Sequence, residues 1–148
     1  MRKRILLIED DHVVRESLTR VLTMEGYAVF AVPSGEEGVR LAAATWIDAV
    51  LLDLNLPGQG GWEVYAELTH REPLLPIIIT TARPNQLLPS VAAGVGALME
   101  KPLDFPMLLS TLRDLLAEAP QERLARLVGE PSEFYYLPAS PPSSPSTL

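Results

Sequence analysis

Short, wholly apolar runs alternate along the chain with stretches in which apolar residues recur every three or four positions. Residues 4–8 are aliphatic apart from the leading arginine, with β-branched Ile5 and Ile8, and they stop against acids, which predicts a strand buried on both faces. Val14, Leu18, Val21 and Leu22 then repeat at helical spacing, with Asp11 placed to cap that helix and Gly26 to close it. Residues 27–32 read as a second strand. Pro33, Ser34 and Gly35 open a small-residue helix that runs to about Thr45. Residues 47–52 form a third buried strand, which also ends in an acid, Asp53. A Gly- and Pro-rich loop follows at 57–61, and Trp62, Tyr65 and Leu68 mark a third helix. Residues 75–80, with three consecutive isoleucines, predict a fourth strand. The next helix is interrupted on paper: Pro84 suits a first turn, but Pro89 breaks or kinks any helix that does not start there. Ala97 to Glu100 make a short fifth strand. Leu108, Leu109, Leu112, Leu115 and Leu116 give an amphipathic helix over 103–118. Five such units predict an α/β fold, a doubly wound parallel sheet with helices on both faces. Functional groups in such sheets lie beyond the carboxyl ends of the strands, near the point where strand order reverses.

Composition narrows the class. With 47% hydrophobic and 21% charged residues, the 148-residue chain can bury a core. Twelve basic against nineteen acidic side chains leave a net charge of −7, which argues against nucleic acid or anionic lipid as partner. The absence of cysteine excludes disulfides, thiolate zinc sites and thiol nucleophiles. The basic start resembles a signal peptide only briefly, because its apolar run ends after Ile8. No apolar stretch approaches the roughly 18 residues of a membrane span. A soluble, cytoplasmic protein is expected.

The strand ends carry the candidate chemistry. Glu9 and Asp10 follow the first strand, Asp53 the third, Thr80 and Thr81 the fourth, and Lys101 the fifth. Converging carboxylates need a cation or raised pKa values. Oxygen donors without His or Cys favour a hard ion, and a small open site suits Mg2+. A carboxylate can also attack a phosphoryl group to give an acyl phosphate. Such a transfer asks mainly for charge neutralisation and positioning, which an ion, a lysine and a hydroxyl supply. Taken singly, each residue has a plainer use. Asp10 or Asp11 can be a helix cap, the threonines β-formers, and Lys101 a solvated surface lysine. The set in this order is much harder to obtain by chance.

These residues resemble the receiver domains of bacterial two-component response regulators over about residues 3–118. The resemblance rests on Ile-Leu-Leu-Ile-Glu9-Asp10-Asp11, on Leu-Leu-Asp53-Leu-Asn-Leu-Pro57-Gly, on Ile-Thr80-Thr81-Ala82 and on Lys101-Pro102. It implies a five-stranded sheet in the flavodoxin-like order 2-1-3-4-5. It implies Asp53 as the phosphoacceptor, and Glu9, Asp10, Asp53 and the backbone carbonyl of Asn55 as the Mg2+ site. Thr81 matches the switch hydroxyl and Lys101 the phosphoryl-pairing lysine, with a cis Lys-Pro bond aiming it inward. Asp11 is left for the helix cap or for a metal-side role. Arg83 either overhangs the phosphoryl group or is solvated.

The match departs from the family in two places. Leu98 stands where the family usually has an aromatic residue, which puts in doubt a switch that works by swinging a ring. The fourth helix, part of the family's usual output face, is disrupted by proline. Gly60, where the family often has Asp or Asn, alters only a surface turn.

Residues 1–119 are thus expected to form the receiver and 120–148 a C-terminal extension, with no effector domain. Within the extension, residues 121–128 could add a short helix. The apolar Phe134, Tyr135, Tyr136 and Leu137 are expected to dock on the domain's own surface, or else to make a partner or homodimer contact. The Pro/Ser-rich end from Pro138, with two P-x-x-P spacings, reads as flexible or polyproline-like. The expected function is a stand-alone receiver that takes a phosphoryl group from a sensor histidine kinase or phosphotransfer protein. It would signal to a downstream protein by contact, or relay the group, without acting on an external metabolite. The alternative is a receiver-like adaptor that works without phosphorylation. A phosphate-binding flavodoxin relative is discounted because acids follow the first strand, and an aspartate phosphatase because the lone acceptor candidate follows the third.

Overall fold

The computed structural model describes residues 1–58, 60–83, 85–92, 94–129 and 134–139. Its centre is a sheet whose strands all run the same way: β1 (Arg4–Ile8), β2 (Ala28–Val32), β3 (Ala49–Asp53), β4 (Ile77–Thr81), β5 (Ala97–Glu100) and β6 (Tyr135–Leu137). They lie in the order β2-β1-β3-β4-β5-β6. The helices are α1 (His12–Met24), α2 (Gly35–Ala44), α3 (Gly61–Arg71), α4 (Leu87–Ala92), α5 (Phe105–Ala117) and α6 (Pro120–Leu127).

The continuous apolar strands of the sequence are continuous because both sides of the sheet are covered. Leu6, Ile8, Val50, Leu52, Ile77, Ile79 and Leu98 share one buried cluster with Val64, Tyr65 and Leu68 of α3. The alternate residues Ile5, Leu7, Leu51, Ile78 and Met99 share another with Leu18 and Leu22 of α1 and Leu108, Leu112 and Leu115 of α5. The helices start where polar side chains can accept their free N–H groups: Asp11, Ser34 and Asp104 cap α1, α2 and α5.

The sheet has six strands where five were expected, while the order of the first five is the expected one. The sixth comes from the aromatic cluster, which docks on the domain itself as a parallel strand along β5. Helix α6 supplies the crossover that brings the chain back to the foot of β5, where Tyr135 N–H bonds to Gly96 O at 3.1 Å. Strands β3 and β4 begin two residues later than the apolar runs suggested and include Asp53 and Thr81 as their last residues. The fourth helix is cut to six residues. Pro89 sits in its first turn, where a missing N–H breaks no intrahelical bond. Pro84, most of the Pro/Ser-rich end and its P-x-x-P spacings fall outside the described residues. No helix among the described residues is long and apolar enough to cross a membrane.

Candidate functional site

Strand register builds the site. Ile8 pairs with Leu52, so the next residues, Glu9 and Asp53, emerge side by side from β1 and β3. Asp53 in turn pairs with Thr80, and Thr81 with Glu100, which brings Lys101 in from β5. The reversal of strand order falls between β1 and β3, where the acids lie.

Glu9 and Asp53 are each only 1% exposed. Lys101 Nζ lies 2.7 Å from Glu9 Oε1 and 3.4 Å from Asp53 Oδ2. The other Asp53 oxygen accepts the Asn55 N–H at 2.9 Å, which orients the carboxylate. Asp10 is exposed at the mouth, and the carboxylate oxygens of Glu9, Asp10 and Asp53 all lie within 4.8 Å of one another.

Three carboxylates therefore face one ammonium. Burial, then the hydrogen bond and charge of Asp53, push the Glu9 carboxyl from 4.5 up to about 7 against the opposing pull of Lys101. Burial also works against the Lys101 charge. Its contacts with Glu9 and Asp53 outweigh that and hold the ammonium above the ordinary lysine value. An excess of oxygen donors at a partly open mouth, with no nitrogen or sulfur among them, fits a small hard cation such as Mg2+.

The family model of the response regulator receiver domain matches residues 5–113. This chain belongs to that family. Response regulator MprA of Mycolicibacterium vanbaalenii is 38% identical over 118 residues, which cover 78% of this chain and 51% of that protein. MprA of Mycobacterium tuberculosis is 35% identical over 127 residues, or 84% and 55% of the two chains. The chain thus spans about half the length of the curated relatives it matches. Among solved structures, a CheY-like receiver domain protein from Methanospirillum hungatei JF-1 superposes with a TM-score of 0.77 at 27% identity, covering 82% of this chain and 99% of its own. The response regulator TrrA of Thermotoga maritima, solved in complex with Mg2+ and BeF, gives 0.71 at 29% identity, covering 76% and 98%.

In this receiver the structure gathers Glu9, Asp10, Asp53, Asn55 and Lys101 at one sheet end, and the Lys101–Pro102 bond is cis. Thr81 is fully buried at the end of β4, and its hydroxyl accepts the N–H of Arg83 at 2.9 Å. Asp11 caps α1 by accepting the Val14 N–H, and its oxygens are not part of the acidic cluster. Arg83 is exposed, and its Nη2 donates to Asn55 Oδ1 at 2.9 Å, tying the loop after β4 to the loop after β3. Leu98 is wholly buried, and its register partner on β6 is Tyr136.

One contributor was missed altogether. Arg15 reaches back from α1 to the carbonyls of Glu9, at 2.9 Å, and Asp10, at 3.2 Å, and so anchors the backbone of the acidic pair. Its place one turn into an amphipathic helix looks like any solvent-facing arginine, so the sequence carries no signal for it.

Proposed function

We propose that this receiver accepts a phosphoryl group on Asp53, with Mg2+, from the phosphohistidine of a sensor histidine kinase or phosphotransfer protein. The observation that carries the reading is the arrangement around Asp53. It is a buried carboxylate oriented by the Asn55 N–H, with the Lys101 ammonium 3.4 Å away and two further acids within reach of a shared cation.

Glu9, Asp10, Asp53 and the Asn55 carbonyl would hold Mg2+, which supplies positive charge against the phosphoryl oxygens and relieves the crowding of carboxylates. A carboxylate oxygen of Asp53 attacks phosphorus, the phosphorus–nitrogen bond breaks, and the imidazole leaves with the bonding pair and takes up a proton. Lys101 turns from Glu9 to an oxygen of the transferred group, and the Thr81 hydroxyl donates to another once its own geometry allows. Water later attacks the phosphorus, the acyl phosphate bond breaks, and Asp53 returns as a carboxylate. The chain turns over only its own phosphoryl group. Its output is contact with a protein partner or onward transfer; an excess of seven negative charges disfavours nucleic acid.

Intact mass spectrometry after incubation with Mg2+ and acetyl phosphate tests this. The wild type should gain about 80 Da, one phosphoryl group, and Asp53→Ala should gain nothing. A gain in both variants moves the acceptor elsewhere. No gain in either, with acetyl phosphate and with a phosphorylated kinase, overturns the phosphoryl reading in favour of a phosphorylation-independent adaptor.

A further inference from the structure

Strand β5 ends at Glu100, which meets the sixth strand, and the next residue, Lys101, meets the acidic site. Lys101 holds Glu9 and Asp53, while the neighbouring Glu100 accepts a hydrogen bond from the Tyr136 hydroxyl at 2.5 Å. Strand β6 is short, pairing Tyr135, Tyr136 and Leu137 with Ala97, Leu98 and Met99. Leu137 is buried in the cluster formed by Met99, Leu108 and Leu112, Tyr135 packs against the same cluster and Phe134 against the other, while Tyr136 is 42% exposed.

The preceding helix is fixed far more firmly. Arg126 and Arg123 of α6 pair with the buried Glu118, and Arg123 Nη2 donates to Leu115 O at 3.2 Å. Release of β6 therefore need not disturb α6.

We propose that β6 is a tethered strap that docks on β5 while Lys101 is paired with Glu9 and Asp53, and lets go when Asp53 carries a phosphoryl group. The inference rests on the phosphoryl-acceptor reading above. A phosphoryl group on Asp53 draws Lys101 Nζ off Glu9, and a side chain that moves its anchor at the end of a four-residue strand moves Glu100 with it. The Tyr136 hydroxyl then loses its geometry, and β6 is left with its three-residue pairing and the packing of Phe134, Tyr135 and Leu137, which weakens its docking. Release bares the N–H and C=O groups of the β5 edge and the apolar seat of Leu137, a template for an extended segment of another protein.

Amide hydrogen exchange on the full chain tests the strap, with Mg2+ alone and with Mg2+ plus beryllofluoride, which stands in for the phosphoryl group. Exchange at residues 135–137 should accelerate about fivefold or more when beryllofluoride is added, the lower end of ordinary coupling between sites. Unchanged protection, while calorimetry shows beryllofluoride bound, overturns the strap and leaves the acceptor reading intact. No binding heat, together with no mass gain on Asp53, removes both. Coupling is reciprocal. Tyr136→Phe and Leu137→Ala should therefore each tighten beryllofluoride binding by the factor with which they loosen β6. Tyr136→Phe keeps the ring and the fold, so an unaltered affinity in that variant with β6 loosened also overturns the proposal.

Discussion

Glu9 is pulled in opposite directions by the groups around it. Burial and Asp53 raise its carboxyl to about 7, and an unfolded chain would titrate it near 4.5. Between these values the folded protein binds more protons than the unfolded one. The stability this gives is fully present below 4.5 and is lost as pH rises through about 7. The melting temperature of the Mg2+-free protein should accordingly fall from pH 5 to pH 8, and Glu9→Gln should flatten that slope. Mg2+ held by these acids, as proposed, would displace the same proton, so its affinity, followed by calorimetry, should be about tenfold higher at pH 8 than at pH 6; a pH-independent affinity would count against the titration. Asp11 has a different job from the acid pair beside it. Asp11→Ala should cost about 1 kcal/mol in urea unfolding through the lost cap, with Mg2+ affinity unchanged and stability restored by Asp11→Ser. A matching loss of Mg2+ affinity would return Asp11 to the metal side.

The loop after β3 is held by the helix that follows it. A Cβ on Gly61 would lie 2.4 Å from the Leu54 Cα and 2.8 Å from its carbonyl oxygen, so only glycine lets α3 start against the loop after β3. Gly61→Ala should destabilise the protein by about 1–3 kcal/mol and slow phosphoryl uptake, as read by thermal unfolding and by the rate of mass gain. Full stability and rate in this variant would mean that the loop yields freely. Strands such as β1, β3 and β4 are legible in the sequence because burial on both faces demands unbroken apolar runs, and the acids at their ends stand out against them. Strand β6 is not legible as a strand. Three residues carry no periodicity, and whether an aromatic cluster becomes an edge strand depends on a crossover helix placing it beside β5. The Arg83–Asn55 and Arg15 contacts are hidden for a related reason: long side chains choose partners only after the loops are in place.

One buried acid joins the last helix to the rest of the molecule. Glu118 is almost wholly enclosed and faces both Arg123 and Arg126. Glu118→Gln leaves two guanidinium groups at a desolvated contact without their carboxylate and should cost about 3 kcal/mol of unfolding free energy. A loss of under about 1 kcal/mol would place the pair among ordinary surface ion pairs. The acidic cluster lies at the carboxyl end of the sheet and this clamp lies beyond α5, so Mg2+ binding should survive the substitution. The all-parallel sheet also has a history in time. No two of its neighbouring strands can fold as a hairpin, and β6, the last of the six in sequence, docks on an edge already complete without it. On the ribosome, at about 5–20 residues per second, a nascent chain spends several seconds with β5 made and its covering strand still to come. Throughout that interval the apolar edge is open to other nascent chains, and a chaperone that shields it would be the natural guard.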